Sequence, residues 1–175
     1  MIVGLLQEVT QKLERAGIQY MLSGSIALNR YTLPRMTLDI DIIIELNAKN
    51  IDDFLELWGE DYYLNPDTVR QEHQRSGMFN VIDYGSGLKI VFIVRKNTEY
   101  RLHEFIRRKK EKIENFEVWM VSPEDLIISK LEWIQQLQSN KQMADISNLL
   151  SLPQIDKDYI MVWCKKLNLN TFDLL

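Results

Sequence analysis

A chain of 175 residues is long enough for one good-sized core and too short for two independent large ones. A hydrophobic fraction of 46% with 26% charged residues excludes disordered and fibrous classes, and a net charge of −4 excludes a global basic field for nucleic acid, leaving only a local patch to serve that purpose. Cys164 has no partner for an internal disulfide, and the early charges of MIVGLLQEVTQKLERAG argue against a signal peptide or membrane span, which reads as a cytoplasmic, reducing location with no membrane partner.

In chain order, Ile2, Leu5, Leu6, Val9 and Leu13 recur at helical spacing, and Gly17 stands where such a helix stops. IQYML (18–22) reads as a short strand running into Ser23-Gly24-Ser25, after which IALNRY forms a brief helix before Pro34. From Thr37 to Leu46 the residues alternate, with Leu38, Ile40, Ile42, Ile44 and Leu46 on one face and Thr37, Asp39, Asp41, Ile43 and Glu45 on the other, which predicts a strand. Asn50 is placed to cap a helix carrying Ile51, Phe54, Leu55 and Trp58, and a polar helix follows over about 66–76. MFNVID and LKIVFIV flank Tyr84-Gly85-Ser86-Gly87, a hairpin signal. A mixed-charge helix is expected over 98–112, then VWMV as a strand. Ser122-Pro123-Glu124-Asp125 is a helix start, with a cap, a proline at the first position and acids in the first turn. Helices are expected over 126–138, 141–150 and 156–168. The layout predicts an α/β core over 1–121 and a helical region over 122–175 packed on it as a single compact unit.

Side chains two apart on a strand project from one face about 6–7 Å apart, so Asp39 and Asp41 emerge together. Two carboxylates so close repel unless a cation neutralises them, and Mg²⁺, which takes hard oxygen ligands and keeps waters or phosphates besides, is the natural one. A Gly-Ser turn between strand and helix offers N–H groups, a hydroxyl and a helix N-terminus to an anion such as a triphosphate. Gly24, Ser25, the cationic Arg35 and Asp39-x-Asp41 all fall within 18 residues.

The stretch Gly24-Ser25, thirteen residues, then Asp39-Ile40-Asp41, with Arg35-x-Thr37 just ahead of the first Asp, resembles the DNA polymerase β-type nucleotidyltransferase superfamily. The resemblance is nearest to small bacterial members, among them minimal nucleotidyltransferases and abortive-infection and toxin–antitoxin enzymes, and it extends to LKIVFIV, SPEDLIISKLEW and KQMADISNLL. It implies a nucleotidyltransferase fold: a small mixed sheet flanked by helices, closed by the helical C-terminal region. It also implies roles: Gly24, Ser25, Arg35 and Thr37 at the nucleotide, and Asp39 and Asp41 as catalytic metal ligands. The implied partners are an NTP, an RNA, protein or small-molecule acceptor, and an antitoxin-type protein.

That superfamily carries a third carboxylate on a neighbouring strand, where this chain has Val91. Asp83 and Glu45 are the residues left to substitute, and without one the two-metal site is reduced to a single Mg²⁺. Two functions therefore stay open: transfer of a nucleoside monophosphate, and a catalytically degenerate domain that binds nucleotide or a partner protein. A third, purely structural reading leaves Asp39 and Asp41 solvated.

Lys130 lies near the apolar stripe of its helix, where a lysine either snorkels to water or reaches into the cleft; it is carried as a nucleotide contact. Arg101–Lys112 reads as a solvated helix face or an RNA or triphosphate contact. Asp145 reads as capping or surface charge, His73 and His103 as surface residues, and Trp58, Trp119, Trp133 and Trp163 as core area.

Overall fold

The computed structural model describes residues 1–175. Helix α1 (Ile2–Arg15) buries Leu5, Leu6, Val9 and Leu13 along one face, and the chain turns out of it at Gly17, whose φ is +67°. Strand β1 (Tyr20–Leu22) is buried throughout. Helix α2 (Gly24–Tyr31) begins inside the small-residue turn itself. Strand β2 (Asp39–Ile44) is followed by α3 (Ile51–Glu56), the short β3 (Tyr62–Tyr63), α4 (Pro66–Arg75), and the hairpin β4 (Met78–Asp83) and β5 (Lys89–Val94). Then come α5 (Glu99–Ile106), a second hairpin of β6 (Lys109–Ile113) and β7 (Phe116–Met120), and the helices α6 (Pro123–Ile134), α7 (Asn140–Leu150) and α8 (Lys157–Lys166). Ser122, Ser139 and Asp156 each accept a backbone N–H three residues on, capping those last three helices.

The strands form one mixed sheet of seven in the order β3-β4-β5-β2-β1-β7-β6. β2 lies at its centre, antiparallel to β1 and parallel to β5. The parallel register sets Asp39 opposite Lys89 and Asp41 opposite Val91. One cluster of 40 buried residues serves both the sheet and the C-terminal helices: Ile42 and Phe92 belong to it, and so do Leu131, Ile134, Leu149 and Trp163. Phe54, Trp58, Phe79 and Phe92 interlock within it, with ring centroids 5.1–5.6 Å apart.

The structure departs from the sequence reading in several places, among them the strand read over 37–46, which spans only Asp39–Ile44 and leaves Leu38 exposed. The helix expected over 98–112 stops at Ile106, and Lys109–Ile113 pairs with Phe116–Met120 as the outermost strand. Its lysines suit an edge, where they discourage further pairing, and its turn is hard to see because Glu114, not glycine, carries the positive φ of 51°. Asn50 precedes α3 without capping it by side chain; its amide instead ties Asn47 N to Glu45 O. Trp133 does not supply core area, being 65% exposed on α6. Tyr62–Tyr63 joins the sheet beside Asp83, a pairing too short to carry an alternating pattern.

Candidate active site

Strand pairing brings the small-residue turn to the aspartates. Ser23 N donates to Asp41 O at 2.9 Å, extending the β1–β2 ladder to the start of α2. Gly24 then takes a φ of +62°, and a Cβ there would sit 1.9 Å from Asp41 Oδ2. Only glycine allows the carboxylate to lie against the turn, where the Ser25 backbone N–H favours its ionised form. Burial, and next the charge of Asp39, raise the Asp41 pKa above the ordinary aspartate value; the Ser25 N–H and the more distant Lys130 and Lys89 oppose them. Asp39, on the same face, is about half exposed, and Lys89 Nζ lies 3.3 Å from its Oδ1.

A second group of charges closes on the turn from the helical region. Asn29 fixes the backbone of Arg35 from both sides, donating to its carbonyl at 2.7 Å and accepting its N–H at 3.0 Å. The Arg35 guanidinium donates to Ser25 Oγ and to Asp145 Oδ2, each at 3.1 Å, while its buried Nε has no acceptor. Lys130 on α6 donates to the same Asp145 oxygen at 3.0 Å and to Gln142 Oε1 at 2.8 Å. Burial lowers the Lys130 pKa, with Asp145 as the main opposing influence.

The structure thus brings together Gly24, Ser25, Arg35, Asp41 and Lys130, with Asp39 on the same sheet face. Thr37 stands apart, its hydroxyl donating to Asp39 O at 3.2 Å in a local turn. Lys130 does not snorkel; its side chain is 8% exposed. Asp145 corrects the sequence reading outright: it is buried and holds two cations. It falls within the stripe of Ile146 and Leu149 that α7 buries, and a carboxylate inside an apolar stripe was the signal for it.

Neither substitute for the third carboxylate reaches the aspartates. Ile82 pairs with Lys89, so Asp83 faces the other side of the sheet, where it accepts the Ser86 N–H at 2.8 Å and holds the hairpin turn. Glu45 is engaged by Arg95 at 3.4 Å. The basic stretch 101–112 is neither one solvated helix nor a free cationic face. Arg101 pairs with Glu104 and Glu132, Arg107 with Asp125, and Arg108 donates to Gln19, while Lys109, Lys110 and Lys112 line the exposed edge.

No three or more His, Cys, Asp or Glu side chains are placed to hold a metal ion together. The aspartate pair alone therefore supplies protein oxygens, a donor set that suits Mg²⁺ with its remaining positions on water and phosphate. Burial and, second to it, the neighbouring Asp39 charge disfavour an ionised Asp41, and a dication held between the two carboxylates offsets both, so the pair fits one such ion. The unpaired Arg35 Nε beside Ser25, at a helix start that Ser23 does not cap by side chain, suits an anion.

The family model described as nucleotidyl transferase AbiEii toxin, type IV toxin–antitoxin system, matches residues 11–166. The antibiotic-resistance factor ANT(2'')-Ia superposes with a TM-score of 0.64 at 9% identity, over 95% of this chain and 90% of that one. The lincosamide antibiotic adenylyltransferase LnuA, solved with lincomycin bound, gives 0.55 at 13% identity over 84% of this chain and 95% of that one. A nucleotidyltransferase-like protein from Paracoccidioides brasiliensis gives 0.55 at 17% identity over 91% of this chain and 83% of that one. At such identities the likeness establishes the nucleotidyltransferase fold alone. A search of curated proteins finds no match.

Proposed function

The chain belongs to the AbiEii nucleotidyl transferase toxin family of type IV toxin–antitoxin systems, and from that membership we propose that it transfers a nucleoside monophosphate from an NTP to a hydroxyl acceptor. The observation that carries this reading is the meeting of Asp41 with the Gly24-Ser25 turn, where a side chain at Gly24 would strike the carboxylate. Phosphate and cation chemistry are thereby assembled at one point of the fold. Gly24, Ser25 and Arg35 hold the triphosphate, the Arg35 Nε–H finding there the acceptor it lacks within the protein. Lys130, half-neutralised by Asp145, adds positive charge from α6. Thr37 braces the segment that carries Arg35 into Asp39.

Asp39 and Asp41 hold Mg²⁺, which supplies charge neutralisation at the phosphates. The acceptor oxygen forms a bond to the α-phosphorus as the bond to pyrophosphate breaks, and pyrophosphate leaves with the bonding electrons while the hydroxyl proton is lost to water. The chain's contribution is alignment and electrostatics, which dominate in phosphoryl-type transfer. The acceptor is an RNA, a protein or a small molecule. An antitoxin-type protein is the proposed physiological partner, and no helix is long and apolar enough to cross a membrane.

Calorimetric titration with each of the four NTPs, with and without Mg²⁺, tests the reading. Metal-dependent binding that vanishes in Asp39→Asn/Asp41→Asn is expected, followed by incorporation of labelled NTP that the same variant abolishes. Transfer retained in that double variant overturns it. One observation favours the second reading, a domain that binds nucleotide or a partner without chemistry: the residue facing Asp41 is Val91. Tight nucleotide binding with no turnover on any acceptor supports that alternative.

A further inference from the structure

The neighbouring strand β5 does more than lack a carboxylate. On the face that carries Asp39 and Asp41 it presents Lys89, Val91 and Ile93, in register with Asp39, Asp41 and Ile43, and just past the strand ends Arg95 pairs with Glu45 by side chain. Beyond it, β4 presents Ile82, Asn80 and Met78 on that face. No acid enters the site from this side, and a lysine directly faces the first aspartate. Its ammonium lies 3.3 Å from Asp39 Oδ1, as a cation bound by that carboxylate would, and Val91 offers no ligand to Asp41. A second divalent ion between the strands would have to displace Lys89 and then find Asp39 as its main protein ligand beside a retained positive charge. That donor set does not fit it.

We propose that the Lys89 ammonium takes the place of a second divalent ion, so that the site binds one divalent cation per nucleotide and Lys89 is the standing counter-charge of Asp39. This rests on the nucleotidyl-transfer reading above. The assignment follows from position. Lys89 and Asp39 are directly opposed in a parallel pair of central strands, so the backbone register places the two side chains side by side on one face and the lysine stem completes the 3.3 Å approach. Both side chains remain 40–47% exposed, so the pair contributes little to stability, and its consequence falls on what Asp39 can bind. Lys89 acts as a positioning residue toward Asp39 in this scheme, and it makes the site less dependent on free divalent ion than a pair of bare carboxylates.

The test counts ions. Mn²⁺ is titrated into the full chain with the non-hydrolysable α,β-methylene analogue of each of the four NTPs, and bound Mn²⁺ is followed by electron paramagnetic resonance. One Mn²⁺ per chain is expected for the wild type and for Lys89→Arg. Two are expected for Lys89→Ala/Val91→Asp, which restores the missing acid and removes the competing cation. Two ions in the wild type, abolished in Asp39→Asn, overturn the proposal while leaving the nucleotide site intact. One ion in a Lys89→Ala/Val91→Asp protein of unchanged circular dichroism also overturns it. No Mn²⁺–nucleotide binding in the wild type overturns the nucleotidyl-transfer reading itself and this proposal with it. The wild-type count is decisive even if the double variant does not fold.

Discussion

Lys130 on α6 and Asp145 on α7 meet at 3.0 Å with their side chains only 8% and 7% exposed. Asp145 also accepts from Arg35, so one carboxylate ties the segment before β2 to α6 and α7. Removing it strands a buried ammonium. Asp145→Ala is therefore expected to cost about 3–5 kcal/mol, the range for breaking a buried pair by deleting one partner. Lys130→Met/Asp145→Ala should cost less than Asp145→Ala alone, since the uncompensated charge is gone. Urea denaturation of both variants measures this, and a cost below about 1 kcal/mol for Asp145→Ala would mean that water reaches the pair.

Asp41 gives a pH dependence of the opposite sense to an ordinary salt-bridged acid. Its folded pKa is raised, so the folded state favours the protonated carboxyl. That contribution is fully present below the unfolded aspartate value of about 3.9 and is lost as pH rises through the folded pKa. In chelator, at neutral pH, Asp41→Asn should therefore be at least as stable as the wild type, while metal-dependent NTP binding disappears. Below about pH 3.5 the stability advantage should vanish, both side chains then being neutral. Thermal melts across this range decide it; an Asp41→Asn protein less stable at pH 7 than at pH 3.5, relative to wild type, would contradict the burial account.

Two glycines separate backbone strain from site geometry. Gly17 and Gly24 both have positive φ, at +67° and +62°, but a Cβ at Gly17 meets nothing within 4 Å, whereas one at Gly24 strikes Asp41. Gly17→Ala should lose roughly 1–2 kcal/mol from the left-handed backbone alone and keep nucleotide binding. Gly24→Ala should carry that cost and lose Mg²⁺-dependent binding as well, because Asp41 must move. Parallel melts and NTP titrations of the two variants distinguish the effects, and equal nucleotide affinity in both would remove Gly24 from the site.

What the sequence disclosed here was local. Alternation fixed the face shared by Asp39 and Asp41, and turn chemistry fixed the Gly24-Ser25 break, because both depend on neighbours along the chain. What it concealed was set by tertiary pairing. Lys130 read as a lysine able to snorkel and Asp145 as surface charge, since each is explained only by tertiary partners: the other of the pair, 15 residues away on another helix, and for Asp145 also Arg35. The strand Lys109–Ile113 lay hidden in a charge-rich run because an edge strand needs no apolar alternation, only a neighbour to pair with. Val91 was legible as a missing acid, but the opposition of Lys89 to Asp39 required the β2–β5 register.

The division at residue 121 is a boundary of secondary structure, and we propose that it is not one of folding. Asp125, fully buried at the start of α6, accepts Ser122 Oγ at 2.7 Å, Arg107 Nε at 2.9 Å and Tyr159 Oη at 2.6 Å, so the end of α5, the start of α6 and α8 converge on one carboxylate. The Arg107 guanidinium also stacks 4.0 Å from the Tyr159 ring. Tyr159→Phe keeps the ring and that stack and removes only the hydroxyl, so it should cost about 1.5–3 kcal/mol, as for a hydrogen bond to a charged group. Because α6–α8 share the sheet's core, the loss should lower the whole molecule's midpoint by several degrees within a single transition. Calorimetry reads both quantities. Two resolved transitions in Tyr159→Phe, with the first assigned to the C-terminal helices, would make residues 122–175 a separately folding unit.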